Sequence, residues 1–142
     1  MRWPRQIAAW WTNWRKPKSL GYLGERAAEK FLRHCGYKIV ARSSRLPSGE
    51  LDLVAVDNRT VVFVEVKTRS SQQFGHPEEA VDENKQRRLT RAALAYLKRH
   101  GLLEHPSRFD VVAVDWPASS KQPRIEHYKN AFEAIGSEGL FS

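Results

Sequence analysis

The chain has 142 residues, a length typical of one compact domain. Hydrophobic residues make up 41% of it and charged residues 28%, which favours a folded core and excludes extensive disorder. The net charge of +8 favours a polyanionic partner, either nucleic acid or an anionic membrane surface. Because Cys35 is the only cysteine, a disulfide scaffold and a cysteine-based zinc ribbon are excluded.

The first 19 residues differ from the rest in composition. They carry five basic side chains, no acidic one and four of the five tryptophans. We interpret residues 1–19 as a basic, tryptophan-rich arm that contacts nucleic acid, a membrane surface or another protein, and residues 20–142 as the domain. The apolar stretch in the arm, residues 7–11, is shorter than a signal-peptide core of about 7–15 residues, and no run reaches the roughly 18 apolar residues of a membrane span. We therefore expect a cytoplasmic protein.

The first half of the domain predicts one helix and three strands. Apolar residues at helical spacing, followed by Gly36, predict an amphipathic helix over residues 20–35. Residues 37–41 predict a short strand, and residues 43–49 a polar loop. Two runs rich in β-branched residues, 51–56 and 61–67, predict a hairpin whose strands are apolar on both faces, as in interior strands covered by helices.

The second half predicts one long helix and two further strands. Pro77 marks the start of a helix that reaches about His100, before the stop signal of Gly101. Residues 108–115 predict an apolar strand, and residues 125–128 a last short one. The order α-β-β-β-α-β-β predicts an α/β fold with a central β-sheet flanked by helices.

The predicted hairpin brings acidic residues together. If Asn58 and Arg59 form the turn, Asp52 lies directly opposite Glu65, with Cβ atoms about 4.5–5.5 Å apart. Lys67 follows Glu65 by two residues, so it projects from the same face. The pattern therefore predicts that an Asp, a Glu and a Lys converge on one patch.

Two carboxylates held this close repel each other, and burial adds to the cost of ionising both. A bridging cation relieves that cost, and hard oxygen ligands favour Mg²⁺ or Mn²⁺. The ammonium group of Lys67 would then orient a water or stabilise charge that develops on phosphorus. In the alternative interpretation, Asp52 and Glu65 lie at exposed strand ends and Lys67 only neutralises them.

An acidic residue on one strand and Glu-x-Lys on the next resemble the PD-(D/E)xK nuclease superfamily, with Leu51 at the position of the motif's proline. Within it, the chain is most similar to the YraN-like family of small bacterial predicted endonucleases, in order over about residues 20–133. The residues that carry the resemblance are Gly24-Glu25-x-x-Ala28, Gly49-Glu50-Leu51-Asp52-Leu53, Phe63-Val64-Glu65-Val66-Lys67-Thr68-Arg69, Lys85, Arg108-Phe109-Asp110-Val111 and Asn130-Ala131-Phe132.

The resemblance implies a restriction-endonuclease-like α/β fold with a mixed central β-sheet flanked by helices. It implies that Asp52 and Glu65 bind the metal, that a strand carbonyl at Val66 supplies a further oxygen ligand, and that Lys67 is catalytic. It also makes Glu25, near the start of the first helix, a candidate catalytic carboxylate. A favourable acidic residue in a helix's first turn is the alternative for Glu25.

Basic residues around the patch are candidates for binding phosphates. Lys85 falls near the centre of the apolar stripe of its helix, where a lysine needs an acidic or phosphate partner, and we include it among the catalytic candidates. Its alternative is a side chain that extends past the helix start to solvent. The nucleic-acid-binding candidates are Arg45, Arg69, Lys85 and Arg88.

The sequence therefore predicts an endonuclease dependent on Mg²⁺ or Mn²⁺ that acts on DNA, branched DNA included, rather than RNA, and that uses no small-molecule cofactor. A homodimer is expected if the substrate is a symmetric junction. The alternative is a nucleic-acid-binding protein that keeps the nuclease fold without catalysis.

Overall fold

The computed structural model describes residues 19–70, 81–117 and 121–136. Residues 1–18 of the predicted arm lie outside these ranges, as do residues 71–80. The described residues form two helices and five strands: α1 (Leu20–His34), β1 (Lys38–Leu46), β2 (Gly49–Asp57), β3 (Thr60–Ser70), α2 (Glu83–Arg99), β4 (Ser107–Trp116) and β5 (Arg124–Phe132).

The five strands form one mixed sheet in the order β1-β2-β3-β4-β5. Strands β3 and β4 run parallel, and the other three neighbouring pairs are antiparallel. A parallel pair needs a crossover connection, and α2 lies in that connection. The predicted α/β class, the element order and the mixed central sheet are all confirmed, and the arrangement is consistent with a nuclease-like fold.

Apolar side chains cover both faces of the sheet, as the doubly apolar strands predict. On one face, Val62 and Val112 pack with Leu32 of α1. On the other face, Phe63 and Val111 pack with buried residues of α2 such as Leu97. Because neighbouring residues of a strand point to opposite faces, each helix covers its own alternate set.

The prediction of a short first strand and a polar loop was wrong. Strand β1 continues to Leu46, and its residues pair with β2 down to the Leu46–Gly49 pair. Only the Pro47-Ser48 turn separates the two strands. The polar residues of this stretch mark an edge strand, which has one hydrogen-bonded neighbour and partly exposed side chains, and not a loop.

The second helix begins at Glu83, so the predicted start at Pro77 was wrong. Asp82 is extended and caps the helix, since its side chain accepts a hydrogen bond from the Lys85 backbone N–H at 2.8 Å. Val81, just before the cap, is buried in the α2-side core. A capping carboxylate thus sets the helix start, and residues 77–80 lie outside the described residues.

A buried ionic cluster ties the beginning of β4 to β5. Asp110 is 0% exposed, and its oxygens accept hydrogen bonds from Arg108 Nε at 3.0 Å, the Asn130 N–H at 2.9 Å and His127 Nε2 at 2.8 Å. Burial alone would raise the pKa of Asp110, but the hydrogen bonds from His127, Asn130 and Arg108 outweigh it and hold that pKa below its ordinary value. Asp110 is therefore a structural carboxylate.

Helix α1 approaches β3 closely at Gly24. A Cβ atom at this position would lie 1.8 Å from Thr68 Oγ1 and 2.8 Å from Thr68 Cβ. We expect Gly24→Ala to lower the free energy of unfolding by about 1–3 kcal/mol, because the helix or the strand must move. Urea unfolding of the purified variant measures this.

Gly21, in the same helix, is the matched control. A Cβ atom there meets nothing within 4 Å. Gly21→Ala should therefore raise the free energy of unfolding by about 0.5–1 kcal/mol, since alanine loses less backbone entropy in a helix. Equal effects of the two substitutions would contradict the close approach at Gly24.

Neither α1 nor α2 has the length and apolar character needed to cross a membrane.

Candidate active site

The register of the β2–β3 hairpin is the predicted one. Backbone pairing runs from Asp57–Thr60 to Leu53–Val64. Asp52 and Glu65 are the next residues in that register, one step beyond the last backbone pair. At this point a side chain continues the contact between the two strands: Asp52 Oδ2 accepts a hydrogen bond from the Val66 backbone N–H at 2.9 Å. The carboxylate of Asp52 is thereby held against β3, next to Glu65.

Two lysines contact the carboxylate of Glu65. Lys85 Nζ lies 2.5 Å from Glu65 Oε1, and Lys67 Nζ lies 3.6 Å from the same oxygen. The side chain of Glu65 is only 6% exposed, whereas those of Lys67 and Lys85 are 24% and 32% exposed. The structure therefore brings Asp52, Glu65, Lys67 and Lys85 together.

Helix α2 positions Lys85 through its cap. Lys85 is the third residue after Asp82, and its backbone N–H is the group that the Asp82 side chain holds. Sequence reasoning missed Asp82, although an Asp followed by a Glu is a typical helix-start signal. The cap fixes the first turn of α2, and with it the Lys85 side chain that contacts Glu65.

Burial and like charge act on Asp52. Desolvation and the neighbouring Glu65 carboxylate raise the pKa of Asp52 to about 7, although the hydrogen bond from the Val66 N–H opposes the rise. Ionising both carboxylates is thus unfavourable in the protein alone. A bound cation would offset the repulsion between the two carboxylates and so lower the cost of ionising both.

The two lysines differ in the direction of their pKa shifts. Burial and the neighbouring Lys85 ammonium lower the pKa of Lys67, against the attraction of Glu65. Burial also disfavours the charged form of Lys85, but its hydrogen bond to Glu65 outweighs burial and raises the pKa of Lys85. Lys85 is therefore the lysine that stays charged beside Glu65, and Lys67 is the lysine that loses a proton more readily.

A cavity of about 280 Å³ opens beside these groups, between the β1–β2 hairpin and α2. Asp52, Glu65 and Lys85 line it, together with Glu50 and Arg88. Gly49, directly after the turn of the hairpin, has a φ of 144°, and a Cβ atom there would touch Ala92 of α2 at 3.5 Å. The hairpin and the helix thus approach each other closely at this edge of the cavity.

Glu25 reaches the same region from α1. Burial and the carboxylates of Glu50 and Glu65 raise the pKa of Glu25, while a hydrogen bond with Ser43 opposes the rise. Glu25 therefore interacts electrostatically with the acidic pair, although it does not line the cavity.

The donor set fits a hard divalent cation with few protein ligands. Among residues 19–70, 81–117 and 121–136, no group of three or more His, Cys, Asp or Glu side chains is arranged to hold a metal. Asp52 and Glu65 would be the two carboxylate ligands, with the Val66 carbonyl as a further oxygen. Mg²⁺ is typically bound by one or two carboxylates and keeps several waters, so this set suits it.

The remaining basic candidates lie in different surroundings. Arg88 lines the cavity, whereas Arg45 lies at the hairpin, 85% exposed and 3.7 Å from Glu50. Arg69 is held by both oxygens of Asp115 at 2.8 and 3.1 Å, and its side chain is only 19% exposed. Arg69 thus joins the ends of β3 and β4, and its role in nucleic-acid binding stays a prediction.

Comparison with known proteins places the chain in a family. The sequence profile of the uncharacterised protein family UPF0102 matches residues 24–114. The chain belongs to the UPF0102 family. This confirms the resemblance to the YraN-like proteins, which are the same family. The matched stretch contains each catalytic candidate: Glu25, Asp52, Glu65, Lys67 and Lys85.

Relatives within the UPF0102 family are similar over most of their length. A UPF0102 protein of Rhodopirellula baltica is 46% identical over 144 residues, which cover 96% of this chain and 86% of the relative. A UPF0102 protein of Geobacter sulfurreducens is 48% identical over 116 residues, 82% of this chain and 90% of the relative. One of Symbiobacterium thermophilum is 49% identical over 117 residues, 82% and 98% of the two chains. The similarity thus spans the domain as a whole.

Proposed function

We propose that the protein is a metal-dependent nuclease that hydrolyses phosphodiester bonds, in DNA rather than RNA. The observation that carries the proposal is the convergence of Asp52, Glu65 and Lys67 on one side of the β2–β3 hairpin, beside an open cavity. Acidic pairs with a neighbouring lysine suit phosphodiester cleavage, which needs a cation at the phosphate and an oriented water. The net charge of +8 supports a polyanionic substrate.

Each group has a distinct role in the proposed reaction. Asp52, Glu65 and the Val66 carbonyl would hold Mg²⁺ or Mn²⁺, which supplies neutralisation of the phosphate charge and polarisation of the scissile bond. Lys67, whose Nζ lies 3.6 Å from Glu65 Oε1, orients the attacking water. Lys85 pairs with Glu65 and, with Arg88 at the cavity wall, holds a flanking phosphate.

The test is a cleavage assay with the full chain. Linear duplexes, branched duplexes, single strands and RNA are incubated with Mg²⁺ or Mn²⁺, with EDTA as the control. We expect cleavage of a DNA substrate that EDTA abolishes, with 5′-phosphate ends as the superfamily resemblance implies. Cleavage of a symmetric junction at both strands would require two copies of the chain. No cleavage of any substrate would overturn the proposal.

Asp52→Asn separates metal binding from folding. The amide oxygen of Asn can still accept the Val66 N–H, and the repulsion from Glu65 is removed. We therefore expect the metal-free variant to unfold at the same temperature as the wild type or slightly higher. Mg²⁺ or Mn²⁺ should raise the unfolding temperature of the wild type but not of the variant. A large loss of stability in the metal-free variant would instead make Asp52 a structural acceptor.

One observation favours a second function, nucleic-acid binding without catalysis. The Lys85 ammonium lies 2.5 Å from Glu65 Oε1, where it competes with a metal for that oxygen. If Lys85 holds this place permanently, the protein binds nucleic acid through its basic surface and does not cut. Tight binding of DNA together with no metal-dependent rise of the unfolding temperature would select this alternative.

A further inference from the structure

A second cluster of charged side chains lies where α1 faces β1. A cavity of about 680 Å³ between α1 and β1 is lined by Arg26, Lys30, Arg33 and Arg42 around Glu29. Glu29 is buried, with its side chain only 6% exposed. Four basic side chains thus surround a single carboxylate.

The arginines converge on that carboxylate. Arg42 contacts Glu29 Oε1 through Nη2 at 2.5 Å and Nε at 2.6 Å, and Arg26 and Arg33 reach its oxygens at 3.3 Å each. Burial alone would raise the pKa of Glu29, but hydrogen bonds from Arg42 and Arg33 outweigh it and lower that pKa. Glu29 is therefore ionised and fixes the positions of the guanidinium groups.

The cluster has more positive charge than its own carboxylate needs. The four basic side chains and Glu29 leave a net charge of about +3 when each has its ordinary ionisation. By contrast, Arg69 pairs with Asp115, and Arg108 contacts the carboxylates of Asp57 and Asp110. The side chains of Arg26, Arg33 and Arg42 are 55%, 54% and 53% exposed, so about half of each side chain stays accessible to a ligand.

The cluster lies next to the candidate active site. Glu25 and Glu29 are one helical turn apart, about 6 Å along α1 at a rise of 1.5 Å per residue. Glu25 interacts with Ser43 and senses Glu65, while Glu29 contacts Arg42, the neighbour of Ser43. Helix α1 and strand β1 therefore each carry one residue near the acidic pair and another in the basic cluster.

We propose that Arg26, Lys30, Arg33 and Arg42 form a second phosphate-binding surface, which holds the nucleic-acid backbone that flanks the bond placed at Asp52 and Glu65. This inference rests on the proposed function. Guanidinium groups that a buried carboxylate has already positioned lose little entropy when they bind phosphate oxygens. Three arginines and a lysine on one side of α1 suit several successive phosphates of a strand, which carry one charge each.

The experiment measures the salt dependence of binding, in EDTA so that no cleavage occurs. The affinity of the full-length protein for a fluorescent DNA duplex is determined by anisotropy between about 50 and 200 mM salt. Arg26→Gln/Lys30→Gln removes two cations but leaves Arg33 and Arg42 on Glu29. We expect the slope of log K against log salt to become less steep by about 2, about one for each lost phosphate contact.

Arg91→Gln/Lys98→Gln is the matched control. It removes the same charge from exposed positions of α2, on the other side of the sheet from α1. The control should bind with the wild-type slope, and unfolding temperatures close to the wild type's show that both variants are folded. If Arg26→Gln/Lys30→Gln unfolds, Lys30→Glu alone replaces it, since Arg26, Arg33 and Arg42 then stay paired with Glu29.

Three results would overturn the inference. If Arg26→Gln/Lys30→Gln binds DNA with the wild-type slope, the cluster has only a structural role. The proposed function is not contradicted by that result, because the protein still binds DNA. An equal loss of slope in the control would show that only net charge matters. A wild type that binds no nucleic acid would overturn the proposed function together with the inference.

Discussion

Lys67→Ala is expected to reduce metal-dependent cleavage by a factor of about 100 or more, the usual size of a lost general acid–base or water-orienting group. The residue lies 3.6 Å from Glu65 and carries a lowered pKa, so it is placed to act on the attacking water. The initial rate of cleavage under saturating Mn²⁺ measures the effect. Glu65→Gln should remove cleavage in the same assay, because it weakens the metal site.

The control for Lys67→Ala is Lys98→Ala, which removes an exposed lysine of α2. It should cut at the wild-type rate. DNA binding in EDTA should survive in both variants, since a single lysine contributes only part of the phosphate contacts. Cleavage by Lys67→Ala at the wild-type rate would remove Lys67 from the mechanism and favour the non-catalytic binding protein.

Asp110→Asn is expected to lower the free energy of unfolding by about 3 kcal/mol or more, because it removes the buried carboxylate that contacts Arg108 and His127 and leaves Arg108 with Asp57 as its acidic partner. The control is Glu83→Gln, which breaks an exposed pair with Arg87 at 3.0 Å. Such helix-surface pairs contribute about 0.3–0.5 kcal/mol. Urea unfolding at pH 7 compares the two, and similar losses would contradict a stabilising role for the Asp110 cluster.

The stabilisation from Asp110 also depends on pH. The pKa of Asp110 is lower in the folded protein than its ordinary value, so its carboxylate contributes stability above about pH 4. That contribution is lost as the pH falls below 4 and through the folded-state pKa. The difference in stability between wild type and Asp110→Asn should therefore shrink in acid. A constant difference down to pH 2 would show that charge is not the cause.

Local patterns in the sequence were enough for most of the fold and for the centre of the candidate site. The hairpin turn at Asn58-Arg59 fixed a register that the structure confirms as far as Leu53–Val64. That register also put Asp52 beside Glu65. The apolar stripe of α2 made Lys85 stand out as a lysine in need of a partner, and the structure gives it Glu65. Both predictions depend only on the spacing of apolar and polar residues within one segment, which the sequence shows directly.

Features that depend on distant contacts were not predictable in this way. The second half of β1 has the composition of a polar loop, and it is a strand because its backbone pairs with β2. The helix start moved from Pro77 to Glu83 because Asp82 caps the first turn and Val81 is buried in the core. Arg69 seemed close to the site but pairs with Asp115, which is 46 residues away in sequence. Each of these outcomes is decided by a partner that sequence spacing does not reveal.

The sequential strand order has a consequence for how the protein is made. Each strand of β1-β2-β3-β4-β5 adds to the one synthesised just before it, so the sheet can grow in the order in which the chain leaves the ribosome. Both strands of the β2–β3 hairpin, with Asp52 and Glu65, are synthesised before α2, which carries Lys85. During translation Lys67 is therefore the first ammonium group next to Glu65, and the contact from Lys85 forms only after α2 has been added to the chain.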